Sequence, residues 1–338
     1  MSEFFKKAGI FTDIHIGNKS NGKQFNDDCI EYLTWFINLC QSNNCDTCFF
    51  LGDYFHNRNA INLVTMDYGI RGMKMLSDAF EKTIMIPGNH DEYYRDSRSI
   101  NSIAWANHIP RIEIINEITT IDGVTFSPWL IKDEYKQLSE MKGDYLMSHL
   151  ELPSFIMTGA IEMPDNGTIN MTNLSGFNSV FTGHFHKRQS KGNIHYIGNA
   201  FPHNYGDAGD DARGCMILER GKRPVYHDWK DSPKYRIIKL SSIESGEYEI
   251  PYGSYIKLIM DREVSYEEVG FLKETLTEKF NLRELSMISP NKDVELMTSN
   301  MDDTIQFQSV DTIVQSHITS MVSEFYDNSI LLDIYNRL

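Results

Sequence analysis

The sequence has no apolar run long enough to span a bilayer, and its opening stretch, MSEFFKKAGIFTD, turns polar before a secretory core could form. A cytoplasmic protein with no membrane partner is the expectation. Thiols are scarce. Cys29, Cys40, Cys45, Cys48 and Cys215 are an odd, sparse set for 338 residues, which argues against a disulfide scaffold. Cys45 and Cys48 have CxxC spacing, but no second such pair completes a zinc site, and Cys48 runs straight into the apolar FFLGD. Buried structural cysteines are therefore expected. Positive charge is also short: 32 Lys and Arg face 47 Asp and Glu, a net charge of −15. A chain that held nucleic acid by bulk charge would more often be basic. Any phosphate chemistry must rely on local cations or metal ions. Internal repeats and low-complexity tracts are missing as well.

What the sequence does have is a series of short apolar runs that end at polar or glycine-rich signals. AGIF precedes TDIHIG, TCFFL precedes GDYFH, TIMI precedes PGNHD, DYLM precedes SHLE, and SVF precedes TGHFH. Each predicts a buried strand followed by a loop. Amphipathic stretches at 26–42, with Asn26 to Asp28 as the capping turn, and at 62–80 predict helices between the first strands. Alternating strands and helices indicate an α/β layered domain with its chemistry in the strand-end loops. Beyond residue 190, HYIGNAF, RGCMILER and RPVYHDW predict further strands, joined by the loop PHNYGDAGDDARG. SYIKLIMD, SYEEVGFLKETLTEKF and LRELSMI predict a small β-α-β unit. Residues 289–306 are polar and linker-like. The tail 309–338 carries a helical apolar stripe at Ile313, Val314, Ile318, Met321, Val322 and Phe325.

Six of the eleven histidines sit at the strand ends: His15, His56, His90, His149, His184 and His186, with Asp13, Asp53, Asn89 and Asp91 in the same loops. In GHFH, an extended backbone would aim His184 and His186 to one side, toward one centre or two adjacent ones. One such loop is weak evidence, but five in order point to a metal site. Imidazole, carboxylate and amide oxygen without thiolate favour manganese, iron or zinc. A carboxylate can bridge two ions, a pair suited to attack on phosphorus. A histidine outside the ligand set can give a proton or hydrogen bond to the phosphate or leaving group.

The order Asp13-Ile14-His15, Gly52-Asp53-Tyr54-Phe55-His56, Gly88-Asn89-His90-Asp91, His149 and Gly183-His184-Phe185-His186 resembles the calcineurin-like metallophosphoesterases. More narrowly it resembles the SbcD-type DNA repair exonucleases, including the recombination nuclease subunits of tailed phages. The resemblance covers residues 8–220 by motif. It implies a four-layer αββα metallophosphatase sandwich over 1–232, a small α/β DNA-capping domain over 233–288, and a linker with a C-terminal helical tail over 289–338. It further implies two manganese ions. Asp13, His15 and His186 would hold one, Asn89, His149 and His184 the other, and Asp53 would bridge them. His90 would assist cleavage without ligating, Asp91 would orient His90, and His56 would help place the DNA backbone. Ser148 replaces the usual glycine before the lone histidine, and Asn59 follows Arg58 where the family often has proline.

The implied activity is manganese-dependent phosphodiester hydrolysis of DNA, exonucleolytic from 3′ ends of duplexes and endonucleolytic on single strands. The implied partners are DNA, a second copy of the chain, and an SbcC-type coiled-coil ATPase docked on the stripe at 309–338. The helices at 26–42 and 62–80 are candidate dimer surfaces. Arg58, Arg95, Arg98, Lys187, Arg188 and Lys191 lie near the proposed centre and are candidate phosphate contacts. Two other functions compete. A phosphodiesterase for small molecules or nucleotides would share the motifs but would not need more than a hundred further residues. A catalytically silent scaffold for the ATPase would not need an intact ligand set. Phosphoprotein phosphatases are disfavoured, because they carry GDxxDRG and GNHE where this chain has GDYFHNR and GNHD.

Overall fold

Side chains alternate across each strand, and this alternation decides the layering. A computed structural model describes residues 4–159 and 161–288. Its strands run, in order, Lys7–Phe11 (β1), Thr47–Phe50 (β2), Lys82–Met85 (β3), Ile112–Ile114 (β4), Thr119–Ile121 (β5) and Val124–Ser127 (β6). Gly143–His149 (β7), Ile156–Thr158 (β8), Ile161–Glu162 (β9), Phe177–Gly183 (β10), Gln189–Lys191 (β11) and Ile194–Tyr196 (β12) follow. Gly214–Glu219 (β13), Val225–Asp228 (β14), Tyr235–Lys239 (β15), Tyr255–Ile259 (β16) and Glu284–Ile288 (β17) complete the described chain. Two six-stranded sheets form, in the orders β14-β13-β1-β2-β3-β4 and β11-β12-β10-β7-β6-β5.

In β1 and β2, Phe11, Cys48 and Phe50 face one way and join Leu33, Phe36, Met73 and Leu76 of two long helices. Ile10 and Phe49 face the other way and, with Leu51 just past β2, meet Phe126, Met147 and Phe181 of the second sheet. The far side of that sheet buries Leu146 and Val180 with Leu138 and Leu174. The result is helix, sheet, sheet and helix, as expected for an αββα sandwich. All five cysteines are free and buried, as the thiol spacing implied. Among the described residues no helix is long and apolar enough to cross a membrane.

The first long helix is Lys23–Ser42, so it begins before the capping turn expected at Asn26. Asn26 serves a different purpose. It is fully buried, and its Oδ1 accepts the Gly17 N–H at 2.9 Å, tying the helix to the DIHIG loop. The second helix, Leu63–Ala79, is capped by Asn62, whose side chain accepts from Val64 N–H. Its glycines look unfavourable for a helix, but Gly69 is needed for contact: a Cβ there would lie 2.3 Å from the Phe55 ring. The helix thereby presses directly on the GDYFH loop.

β15, β16 and β17 form a parallel three-stranded sheet with the helix Tyr266–Phe280 and a core of its own around Ile238, Ile256, Leu258 and Leu276. Arg283 Nη1 reaches Asp28 at 2.6 Å, Arg236 grips Asp211 with both terminal nitrogens, and the Tyr235 and Tyr255 rings stack at 4.4 Å. The linker and the stripe from Ile313 to Phe325 lie outside the described residues.

Candidate metal centre

β1, β2, β3, β7 and β10 all end at one edge of the sandwich, and the loops that follow them converge. β1 and β2 are parallel neighbours in one sheet, β7 and β10 in the other, so equivalent ends fall side by side. Asp13, His15, Asp53 and His184 all have left-handed backbones, with φ of 51°, 50°, 63° and 88°. Such conformations cost about 1–3 kcal/mol each and persist where surrounding structure enforces them. The expectation of an extended GHFH is thus corrected. β10 stops at Gly183, His184 turns left-handed, and the two histidines part company. His184 Nδ1 lies 2.9 Å from Asn89 Oδ1, whereas His186 Nε2 lies 3.3 Å from His15 Nε2. The glycine before them is a matter of space: a Cβ on Gly183 would sit 2.1 Å from Thr12 Oγ1.

Asp53 stands between the two groups. Its Oδ2 is 3.6 Å from His15 Nε2 and 3.4 Å from His149 Nε2. Asp13 Oδ1 is 3.8 Å from His15 Nε2, and its carboxylate accepts the His184 backbone N–H. Asn89 Oδ1 is 3.1 Å from His149 Nε2, and His149 Nδ1 donates to the Leu51 carbonyl at 2.7 Å. The seven expected ligand residues are therefore brought together.

Burial opposes the charge on Asp53, but His149, His90 and His15 outweigh it and hold its carboxyl well below the usual range. Burial also works against an imidazolium at His149, yet Asp53 and Asp13 push it up to about 9. Burial, reinforced by His149, takes His184 down to about 3. Burial raises Asp13. Two carboxylates buried to 0% and 2% exposure carry charges that burial penalises unless cations face them. His15 Nδ1 is buried without a hydrogen-bond partner. Asp13, His15 and Asp53 form one set of donor atoms within 4.8 Å of one another, and Asp53, His149 and His184 form a second. Imidazole, carboxylate and amide oxygen suit divalent first-row ions. The residues fit divalent metal, and loading would displace the His149 proton, since a ligating imidazole is neutral.

His90 sits beside these donors. Its backbone N–H donates to Asp53 Oδ1 at 2.8 Å, and its ring Nδ1 meets the His56 carbonyl oxygen at 2.6 Å. The rings of His56 and His90 stack with centroids 5.4 Å apart. Facing a carbonyl, Nδ1 must carry its hydrogen, which leaves Nε2 as the atom for chemistry. Asp91 is placed differently from expectation. Its carboxylate accepts the backbone N–H groups of Asp53, Tyr54, Phe55 and Gly88 and the Ser102 hydroxyl. It braces the loop that carries Asp53, and the His56 carbonyl orients the His90 ring in its stead. Asp91→Ala would strand several buried amides, so a loss of about 3 kcal/mol or more of stability is expected, read by denaturant unfolding. An unchanged unfolding midpoint would contradict the bracing role.

The expected phosphate contacts divide. Arg98 is turned inward and held by Glu134 and the Trp129 carbonyl, with its side chain 8% exposed. Arg188 pairs with Asp228 at 2.6 Å and lies over the Tyr226 ring. Lys191 binds the Ser154 carbonyl and faces Glu162. Each of these three already has a protein partner, so a phosphate would have to compete with a carboxylate or carbonyl for it. Arg58 is half-buried past His56, and Arg95 is exposed past GNHD. Lys187 lines a cleft of about 340 Å³ with His184, His186 and Asp207. Trp129 covers the second set of candidate ligands, its ring 4.9 Å from that of His184.

Sequence reasoning missed His203. It lies in PHNYGDAGDDARG, a stretch read only as loop, yet it packs against His15 and His186. A histidine inside an otherwise acidic loop was the available signal.

Known proteins share features with this chain. Residues 6–188 match the profile of the calcineurin-like phosphoesterase family. Exonuclease subunit 1 of Enterobacteria phage T4 is 23% identical over 318 residues, which is 91% of each chain. Among solved structures, the Pseudomonas putida nuclease MPE is similar at a TM-score of 0.30 and 17% identity, over 56% of this chain and 66% of that one. Yfce, a phosphoesterase from E. coli, is similar at 0.32 and 14%, over 63% and 88%.

Proposed function

The chain belongs to the calcineurin-like phosphoesterase family, and from that premise we propose that it is a DNA nuclease of the SbcD type. One observation carries the proposal. The candidate ligands gather on both sides of Asp53, with His90 at their edge and its ring fixed by the His56 carbonyl. The likeness to a phage exonuclease subunit over nearly the whole chain supports DNA as the substrate.

Asp13, His15, His186 and Asp53 would hold one manganese ion, and Asn89, His149, His184 and Asp53 a second. When bound, such a pair polarises the phosphoryl group and supplies an activated water. The protein's own groups do the rest. With its Nδ1–H on the His56 carbonyl, His90 presents Nε2 to the leaving oxygen, the position from which an imidazolium would give its proton. His56 and Lys187 flank the approach of the DNA backbone. Exonuclease action from 3′ ends of duplexes and endonuclease action on single strands belong to this proposal, as do a homodimer and an SbcC-type ATPase partner.

The substrate class is tested by giving the purified chain and manganese either linear duplex DNA or a small aromatic phosphodiester. Release of acid-soluble nucleotides, stopped by chelator, is expected. Turnover of the small diester alone would favour the small-molecule phosphodiesterase. Deletion of 309–338 is expected to abolish capture of the ATPase subunit while leaving manganese-dependent cleavage intact. Capture by the truncated chain would place the docking segment elsewhere.

A further inference from the structure

His203 is fully buried, and neither of its ring nitrogens has a hydrogen-bond partner. A buried imidazole left so forfeits what each nitrogen would gain in water, and native proteins rarely leave such groups without a reason. Its surroundings supply the reason. The ring stands edge-on to His15 and to His186, with centroids 5.5 Å and 5.3 Å away. One donor atom from each of the three histidines lies within 4.8 Å of the others. Phe25 and Phe201 back the ring at 5.3 Å and 4.9 Å, so it has no room to swing away. The backbone is pinned as well. The His203 N–H donates to Asp207 Oδ2 at 2.9 Å, and Asp207 is held by the buried Arg213 and by Asn199.

We propose that His203 is a third imidazole ligand of the ion held by Asp13, His15 and His186. This rests on the metal centre proposed above. It makes the two halves of the centre unequal: three imidazoles on one side of Asp53, and two with an amide oxygen on the other. The added imidazole should raise the affinity of that half for iron or zinc relative to the other half, where an amide oxygen stands in its place.

Cobalt(II) is the probe. Metal-free full-length chain is titrated by calorimetry and visible absorption, alongside His203→Leu and His203→Gln. Wild type is expected to take up two ions. In both variants one ion should bind about tenfold more weakly or worse, with an altered d–d spectrum, while the other is unchanged. Leucine suits the Phe25 and Phe201 wall, so metal-free His203→Leu should melt no lower than metal-free wild type, and only its gain on cobalt binding should shrink. Unchanged isotherms would overturn the proposal. So would weaker binding with an unaltered spectrum, which would mean that His203 acts through water. A lower melting point of both metal-free variants, with both ions weakened alike, would reduce His203 to a packing residue and overturn it too. Wild type that binds no cobalt would sink the metal centre itself, an outcome separate from any effect of the variants.

Discussion

Asp53→Asn is expected to disable both halves of the site at once. The Asp53 carboxylate lies within 3.6 Å of His15 Nε2 and 3.4 Å of His149 Nε2, and its other oxygen holds the His90 backbone. Asp13 also reaches both groups, but it meets the second only through the His184 backbone N–H, whereas Asp53 faces an imidazole of each. The amide is nearly isosteric, so the left-handed turn at Asp53 survives, since asparagine tolerates that region well. What goes is the negative charge that pushes the His149 pKa up and would face cations in the loaded centre. Several kcal/mol of charge stabilisation goes with it, so kcat should fall by about 10⁴-fold. Equilibrium dialysis should show weaker binding of both ions. A variant that kept two tightly bound ions and near wild-type turnover would remove Asp53 from the centre.

His90→Ala is expected to separate metal binding from cleavage. The His90 ring Nδ1 is engaged by the His56 carbonyl, and the ring is half-buried at the edge of the donor cluster. Removing it leaves every candidate ligand in the two sets intact. General acid assistance is typically worth about 10²–10⁴-fold, and cleavage should fall by that amount. Metal stoichiometry should be that of wild type. Loss of one ion in the variant would move His90 into the coordination sphere and overturn its assignment as proton donor.

Much of the architecture is legible in the amino-acid sequence. Strands are readable because short apolar runs end at glycine and proline signals. The cluster of candidate ligands is readable because strand ends in a layered α/β sandwich converge on one edge. Local geometry is not readable. GHFH looks extended, and only the arrest of β10 at Gly183 with the turn at His184 shows how neighbouring histidines part. Proximity in sequence assigns Asp91 to the neighbouring histidine, but the backbone amides of the Asp53 loop compete for its oxygens and win. Arg98 and Arg188 look like free cations because their partners, Glu134 and Asp228, stand 36 and 40 residues away in sequence. His203 is hidden for the same reason: its neighbours His15 and His186 belong to other loops.

The most direct test of the nuclease centre is digestion of a linear DNA duplex labelled at one end. Wild type and His90→Ala would be run with manganese, with magnesium and with chelator. Manganese-dependent shortening by wild type, absent in chelator and lost in His90→Ala, is the expected result. Shortening that persists in chelator, or that His90→Ala performs at the wild-type rate, would contradict a metal-dependent centre with His90 as its proton donor.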